Sequence, residues 1–148
     1  IEAGLAALRR TGTGQVLPYT LAWHAEALAK AGRVEEGLRT VERALALAAE
    51  SEERCWEAEM HRLRGELLLM SGGHAAKAEA CLRRALQVAR QQQARSWELR
   101  AATNLARLWK TQGRAADARA LLGEVYGWFS EGFDTADLIE AKALLEAL

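Results

Sequence analysis

Few residues in this chain have the type and spacing that chemistry needs. Glu57 and His61 stand four apart, which puts both on one helix face in a geometry that can hold a metal ion. No second histidine joins them one turn on, and His24 and His74 lie elsewhere. Cys55 and Cys81 are the only cysteines, too few for a disulfide framework or a zinc site. A structural or solvated role is expected for these residues, with no metal and no cofactor. Thr11-Gly12-Thr13-Gly14 lacks the preceding strand and the lysine of a phosphate-binding loop, and reads as a plain connection. Ser71-Gly72-Gly73-His74 reads as a helix turn. No nucleophile, base and acid stand in a recognisable set. Glu35-Glu36 and Glu52-Glu53 fall at expected helix N-termini, where they complement the helix dipole. The expectation is a chain with no catalytic residues and no enzymatic activity of its own.

The elements behind these residues follow from composition. The chain has 148 residues, half of them hydrophobic, enough for one domain with a sizeable core. Alanine, leucine, arginine and glutamate dominate, β-branched residues are scarce, and Pro18 is the only proline. That mixture favours helix throughout. The 20 basic and 20 acidic side chains balance, where a nucleic-acid binder would carry a basic excess. The charges are nevertheless segregated. Lys77 to Arg119 is rich in arginine and lysine, while Lys142 is the one basic residue between Glu124 and Leu148. The basic band reads either as solvated helix faces or as a dock for an acidic partner. No stretch is apolar enough for a membrane span and no signal peptide is visible, so a reduced, cytoplasmic setting is expected. The sequence opens at Ile1 within an expected helix, so a piece of a longer protein is expected.

An internal repeat organises the chain. Cys55-Trp56-Glu57 and Ser96-Trp97-Glu98 are 41 residues apart, and Gly65, Leu68 and Gly72 answer Ala106, Trp109 and Gly113. After a one-residue slip, Ala78, Leu82 and Ala85 answer Ala118, Leu122 and Val125. An earlier copy holds Ala25, Leu28, Gly32, Gly37, Val41 and Ala44. Each copy is a periodic helix, a short glycine turn and a second periodic helix. Small residues at Ala25, Gly65 and Ala106, met by Ala44 and Ala85, let paired helices approach closely. Helices are expected near 1–11, 18–31, 34–50, 52–71, 75–93, 95–112, 115–130 and 134–147. Pro18 suits a helix start, and Asp134 or Thr135 can cap the last helix.

The small residues, the glycine turn and the downstream alanine resemble the tetratricopeptide repeat, although the period of about 40 to 41 exceeds the usual 34 or so. The expected fold is an all-α, tetratricopeptide-like α-solenoid. It has about three helical hairpins, an N-terminal partial hairpin and a C-terminal capping helix, all in one domain over 1–148. Leu17-Pro18-Tyr19, the run from Glu57 to Leu68 and the aromatic string from Tyr126 to Leu138 resemble the C-terminal repeats of bacterial adenylate/guanylate cyclase-like proteins. Those proteins carry a signalling ATPase domain, and similar repeats follow the ATPase of some transcriptional activators. The resemblance implies an interaction and regulatory module, with the parent's own ATPase domain among its candidate partners. Neither the cyclase nor the ATPase domain lies in this sequence, so neither activity carries over.

In tetratricopeptide domains the first helix of each hairpin lines a concave surface. Here that projects Tyr19, Trp23, Glu26 and Lys30 from the first copy. Glu59, Arg62, Glu66 and Met70 come from the second, and Arg100, Thr103, Asn104, Arg107 and Lys110 from the third. The face is expected to grade from aromatic and acidic to basic. It suits a protein or peptide partner held by charge placement and an aromatic anchor. Trp56 and Trp97 are expected to share a packing role, and Trp109 to be core. Tyr126, Trp128, Phe129 and Phe133 are expected to pack the last helix over the hairpin before it. The alternative function is effector sensing, with a small molecule in the groove. The N-terminal face is a candidate surface for self-association.

Overall fold

A computed structural model of the chain describes residues 17–50, 54–72 and 74–148. Among these residues the fold is all-α, with no strand. Seven helices follow in order: α1 (Leu17–Lys30), α2 (Val34–Glu50), α3 (Glu57–Met70), α4 (Ala75–Gln91), α5 (Arg95–Thr111), α6 (Ala115–Tyr126) and α7 (Ala136–Ala147). The helix expected over 1–11, the Thr11–Gly14 break, the partial N-terminal hairpin and Glu52-Glu53 lie outside the described residues.

The turns explain where the helices stop. Gly32, Gly72 and Gly113 close α1, α3 and α5 with φ of 76°, 80° and 76°, a left-handed conformation that a Cβ would strain. After α1 and α5 the same pair of bonds tightens the exit. Gly32 N–H donates to Ala29 and Arg33 N–H to Leu28, as Gly113 N–H does to Lys110 and Arg114 N–H to Trp109. The end of α4 uses this geometry without a glycine. Gln93 takes φ 55°, with bonds from Gln93 N–H to Arg90 and from Ala94 N–H to Ala89.

Several boundaries differ from the sequence reading, α7 among them, which starts at Ala136 rather than 134. Helix α3 starts at Glu57 rather than 52, because Arg54 to Trp56 form a turn closed by Glu57 N–H on the Arg54 carbonyl. Helix α4 stops at Gln91 because Gln93 turns left-handed. Helix α6 stops at Tyr126 rather than 130, and the aromatic string after it is a turn in which Gly132 has φ 75°. Thr135 occupies the N-cap of α7 in extended conformation, but its side chain makes no cap hydrogen bond.

Packing follows chain order. Each helix packs on the next, and α1 on α3, α3 on α5 and α5 on α7 also pack directly. The backbones of the even-numbered helices α2, α4 and α6 do not approach one another in this way. The odd-numbered helices therefore form the closer-packed layer. Small side chains line the seams. Ala25, Ala44, Ala85 and Ala106 are fully buried, and Gly65 brings α3 against Leu82 and the Ala78 carbonyl of α4. The apolar interior runs along the stack as separate clusters, one under α1 to α3 and a larger one from α4 to α7. Trp109 belongs to the second, and Tyr126 and Phe129 pack against it. Trp128 and Phe133 stay exposed.

Candidate functional site

The repeat dictates what the odd-numbered helices place side by side. Steps of 40 and then 41 residues align Tyr19 with Glu59 and Arg100, Ala22 with Arg62 and Thr103, and Glu26 with Glu66 and Arg107. Three adjoining hollows result. An aromatic one of about 140 Å³ is lined by Tyr19, Ala22, Trp23, Glu26, Trp56, Glu59, Leu63, Trp97 and Arg100. A polar one of about 150 Å³ follows, lined by Glu26, Arg62, Glu66, Arg100, Thr103, Asn104, Arg107, Asp137 and Glu140. The third, apolar, of about 360 Å³, holds Glu66, Leu69, Met70, Asn104, Arg107, Leu108 and Thr111. Shared walls at Glu26, Arg100, Glu66, Asn104 and Arg107 make one continuous groove.

The structure thus brings together every residue projected for this face except Lys30 and Lys110. Lys30 stands at the rim, ion-paired to Glu26 at 2.8 Å. Lys110 is exposed and lines none of the hollows. Three of the gathered residues form the floor rather than an open surface. Arg62, Glu59 and Thr103 are buried, and the Thr103 hydroxyl donates to the Leu99 carbonyl at 2.8 Å.

The floor is a charged lattice. Arg62 Nε and Nη2 each donate to Glu59 at 2.8 Å, and Nη1 donates to Glu66 at 2.7 Å. Arg100 Nη1 donates to the same Glu59 at 2.9 Å and Nε lies 3.5 Å from Asp137. Arg107 pairs with Glu140 and donates to the Asn104 side-chain oxygen at 3.2 Å. Burial alone would lower the pKa of the Arg62 guanidinium. The hydrogen bonds and charges of Glu59 and Glu66 outweigh that and raise it above its ordinary value. Glu26 is held below the usual carboxylate range, first by its bond from Lys30 and further by the charges of Lys30, Arg62 and Arg100, against a smaller opposing effect of burial.

The expected grading toward a basic end does not appear. Helix α7 carries Asp137 and Glu140 to Arg100 and Arg107, and Glu124 reaches Arg90 at 3.2 Å. The acidic C-terminal segment answers part of the basic band from within the chain. Asp137 and Glu140, three apart on the fourth odd-numbered helix, are signals the sequence held. Continuing the repeat one helix further would have found them. Trp56 and Trp97 pack as a pair, their rings 5.3 Å apart, and also line the aromatic hollow.

Away from the groove, His61 Nε2 lies 3.6 Å from Glu57, which also pairs with Arg84 at 3.1 Å. Burial pushes the His61 imidazole below its usual pKa, partly opposed by Glu57. No group of three or more His, Cys, Asp or Glu among the described residues is placed to hold a metal ion. Cys55 is exposed and Cys81 buried, both free.

No protein-family model matches this chain. The chain is 33% identical over 113 residues to an uncharacterized protein of Rhizobium meliloti (strain 1021). The alignment covers 76% of this chain but spans only 11% of that relative's length.

Proposed function

We propose that this chain is a non-catalytic, tetratricopeptide-like repeat module, an α-solenoid of helical hairpins that holds a protein or peptide segment along its odd-numbered helices. The observation that carries the reading is the continuous groove, with aromatic, polar and apolar hollows in sequence along one face. Such a row suits an extended segment that places different side chains in different hollows. The same left-handed glycine closing α1, α3 and α5 supports the repeat. A long relative that aligns over a small part of its length is consistent with a module inside a larger protein. The resemblance to cyclase-like and ATPase-linked signalling proteins makes such a parent, and its ATPase domain as a partner, the working assignment. No described helix is long and apolar enough to cross a membrane, which is compatible with action in the cytoplasm.

Small-molecule sensing is the weaker reading. The aromatic and polar hollows, about 140 and 150 Å³, fall short of the ~300 Å³ at which ligand pockets begin. The apolar hollow is larger but more open than the other two.

Selection of binders from a random peptide library tests the proposal. Recovered peptides are expected to lose at least about tenfold in affinity on Trp23→Ala or Arg107→Glu. Arg119→Glu, on the exposed side of α6, should leave them unaffected. Binding untouched by both groove changes would defeat the assignment.

A further inference from the structure

Three of the five tryptophans lie under an arginine. Arg95 lies over Trp128 at 3.9 Å, Arg114 and Arg83 over Trp109 at 4.4 and 5.6 Å, and Arg100 over Trp97 at 5.6 Å. Trp56 has no arginine over it but meets two rings, tilted Tyr19 at 4.1 Å and Trp97 in an edge contact at 5.3 Å. Trp23 has only the tilted Tyr19 ring beside it, at 4.2 Å. It is 59% exposed, and no described cation lies over it.

The hollow beside that open face holds one lightly held carboxylate. Of its charged lining, Glu59 is taken up by Arg62 and Arg100, and Arg100 also by Asp137, which leaves Glu26. Glu26 follows Trp23 by three residues, on the same face of α1. Its close partner, Lys30, is solvent-exposed and holds it weakly. An apolar side chain seated here would strip water from the Glu26 carboxylate with nothing in return. A cation gains from both the indole face and the carboxylate.

We infer that the Trp23 face seats a guanidinium or ammonium group on a partner peptide, with Glu26 as its counter-charge. This rests on the groove reading and adds the chemistry of the occupant. The second anchor is the apolar hollow at Met70, which is 51% exposed. In the repeat Trp23 stands level with Leu63, seven residues and about 10 Å before Met70 along the helix, and neighbouring helix axes lie about 10 Å apart, about 15 Å in all. Roughly five residues of extended chain cover that span. The occupant is therefore an extended segment with an arginine or lysine about five positions from a large apolar side chain.

The probe is an eight-residue glycine–serine peptide, blocked at both ends, carrying one arginine and one leucine five positions later. Its twin carries citrulline, which keeps the shape and removes the charge. Both are titrated into the full chain while the tryptophan indole and backbone amide signals are followed by NMR. The arginine peptide should move the Trp23 indole signal and bind about tenfold tighter than its twin. Trp23→Leu should erase that difference. Equal affinities, with shifts still in the groove, overturn the cation seat and leave the peptide groove standing. No shift at any groove residue overturns both. A charge preference that survives Trp23→Leu also overturns the seat, because the attraction then arises elsewhere on the surface.

Discussion

Adding one methyl group at two glycines should change stability in opposite directions. At Gly65, in the middle of α3, a Cβ would sit 2.8 Å from Leu82 Cγ, 3.0 Å from its Cδ2 and 3.2 Å from the Ala78 carbonyl oxygen. Leu82 is fully buried, and its Cγ is a branch point rather than a free end. The backbone oxygen of α4 cannot retreat without moving the helix. Overpacking of this kind costs about 1–3 kcal/mol. Replacing a helix-interior glycine by alanine returns about 1 kcal/mol in propensity. Gly65→Ala should therefore lose about 1 kcal/mol overall. At Gly123, in α6, a Cβ meets nothing within 4 Å. Gly123→Ala should keep the propensity gain of about 1 kcal/mol. At this chain length 1 kcal/mol moves the midpoint by about 2–4 °C. The two variants should then melt about 4–8 °C apart when followed by far-ultraviolet circular dichroism. If Gly65→Ala melts as high as Gly123→Ala, the close approach of α3 and α4 at Gly65 is wrong. The seam geometry repeated along the chain would fall with it.

Three further outcomes follow from the same structure. Arg62→Leu leaves Glu59 and Glu66 without the guanidinium that joins them, and should lower stability by about 3–5 kcal/mol in urea denaturation. Adding Glu59→Leu should recover part of that loss, and a double variant less stable than the single would contradict the pairing. His61 has a folded-state pKa below its ordinary 6.5, chiefly from burial. The unfolded chain therefore takes up a proton that the folded chain refuses, and stability should fall as pH drops below about 6.5. His61→Gln should flatten this part of the profile between pH 7 and 5.5, and an unchanged slope would show that other groups carry it. Gln93→Gly should stabilise the chain by about 1 kcal/mol, because Gln93 holds a φ of 55° that glycine adopts without strain; a loss in thermal denaturation would count against the turn.

Much of the fold was legible because glycine and alanine carry geometric information. Gly32, Gly72 and Gly113 mark left-handed helix ends, and Ala25, Ala44, Gly65, Ala85 and Ala106 mark seams where larger side chains do not fit. The turn at Gln93 was hidden because a left-handed glutamine leaves no compositional trace. The end of α6 was hidden because Tyr126-Gly127-Trp128-Phe129 continues an apolar pattern past the point where the helix stops. The groove residues were legible from the repeat phase, since equal positions on successive first helices face the same way. Their depth was not. Arg62 reads on paper as a solvated charge, and only the approach of α5, bringing Arg100 to the same Glu59, shows it as part of a buried lattice. The neutral balance at the far end was likewise hidden, because it depends on α7 lying along α5.

In the proposed module α1, α3, α5 and α7 present one face to one partner. The most direct test is two-dimensional NMR mapping of the tightest library-selected peptide on the full chain. Shifts should concentrate at Trp23, Glu66, Met70, Asn104 and Arg107, with the outer faces of α2, α4 and α6 quiet. Shifts centred on those even-numbered helices would contradict it.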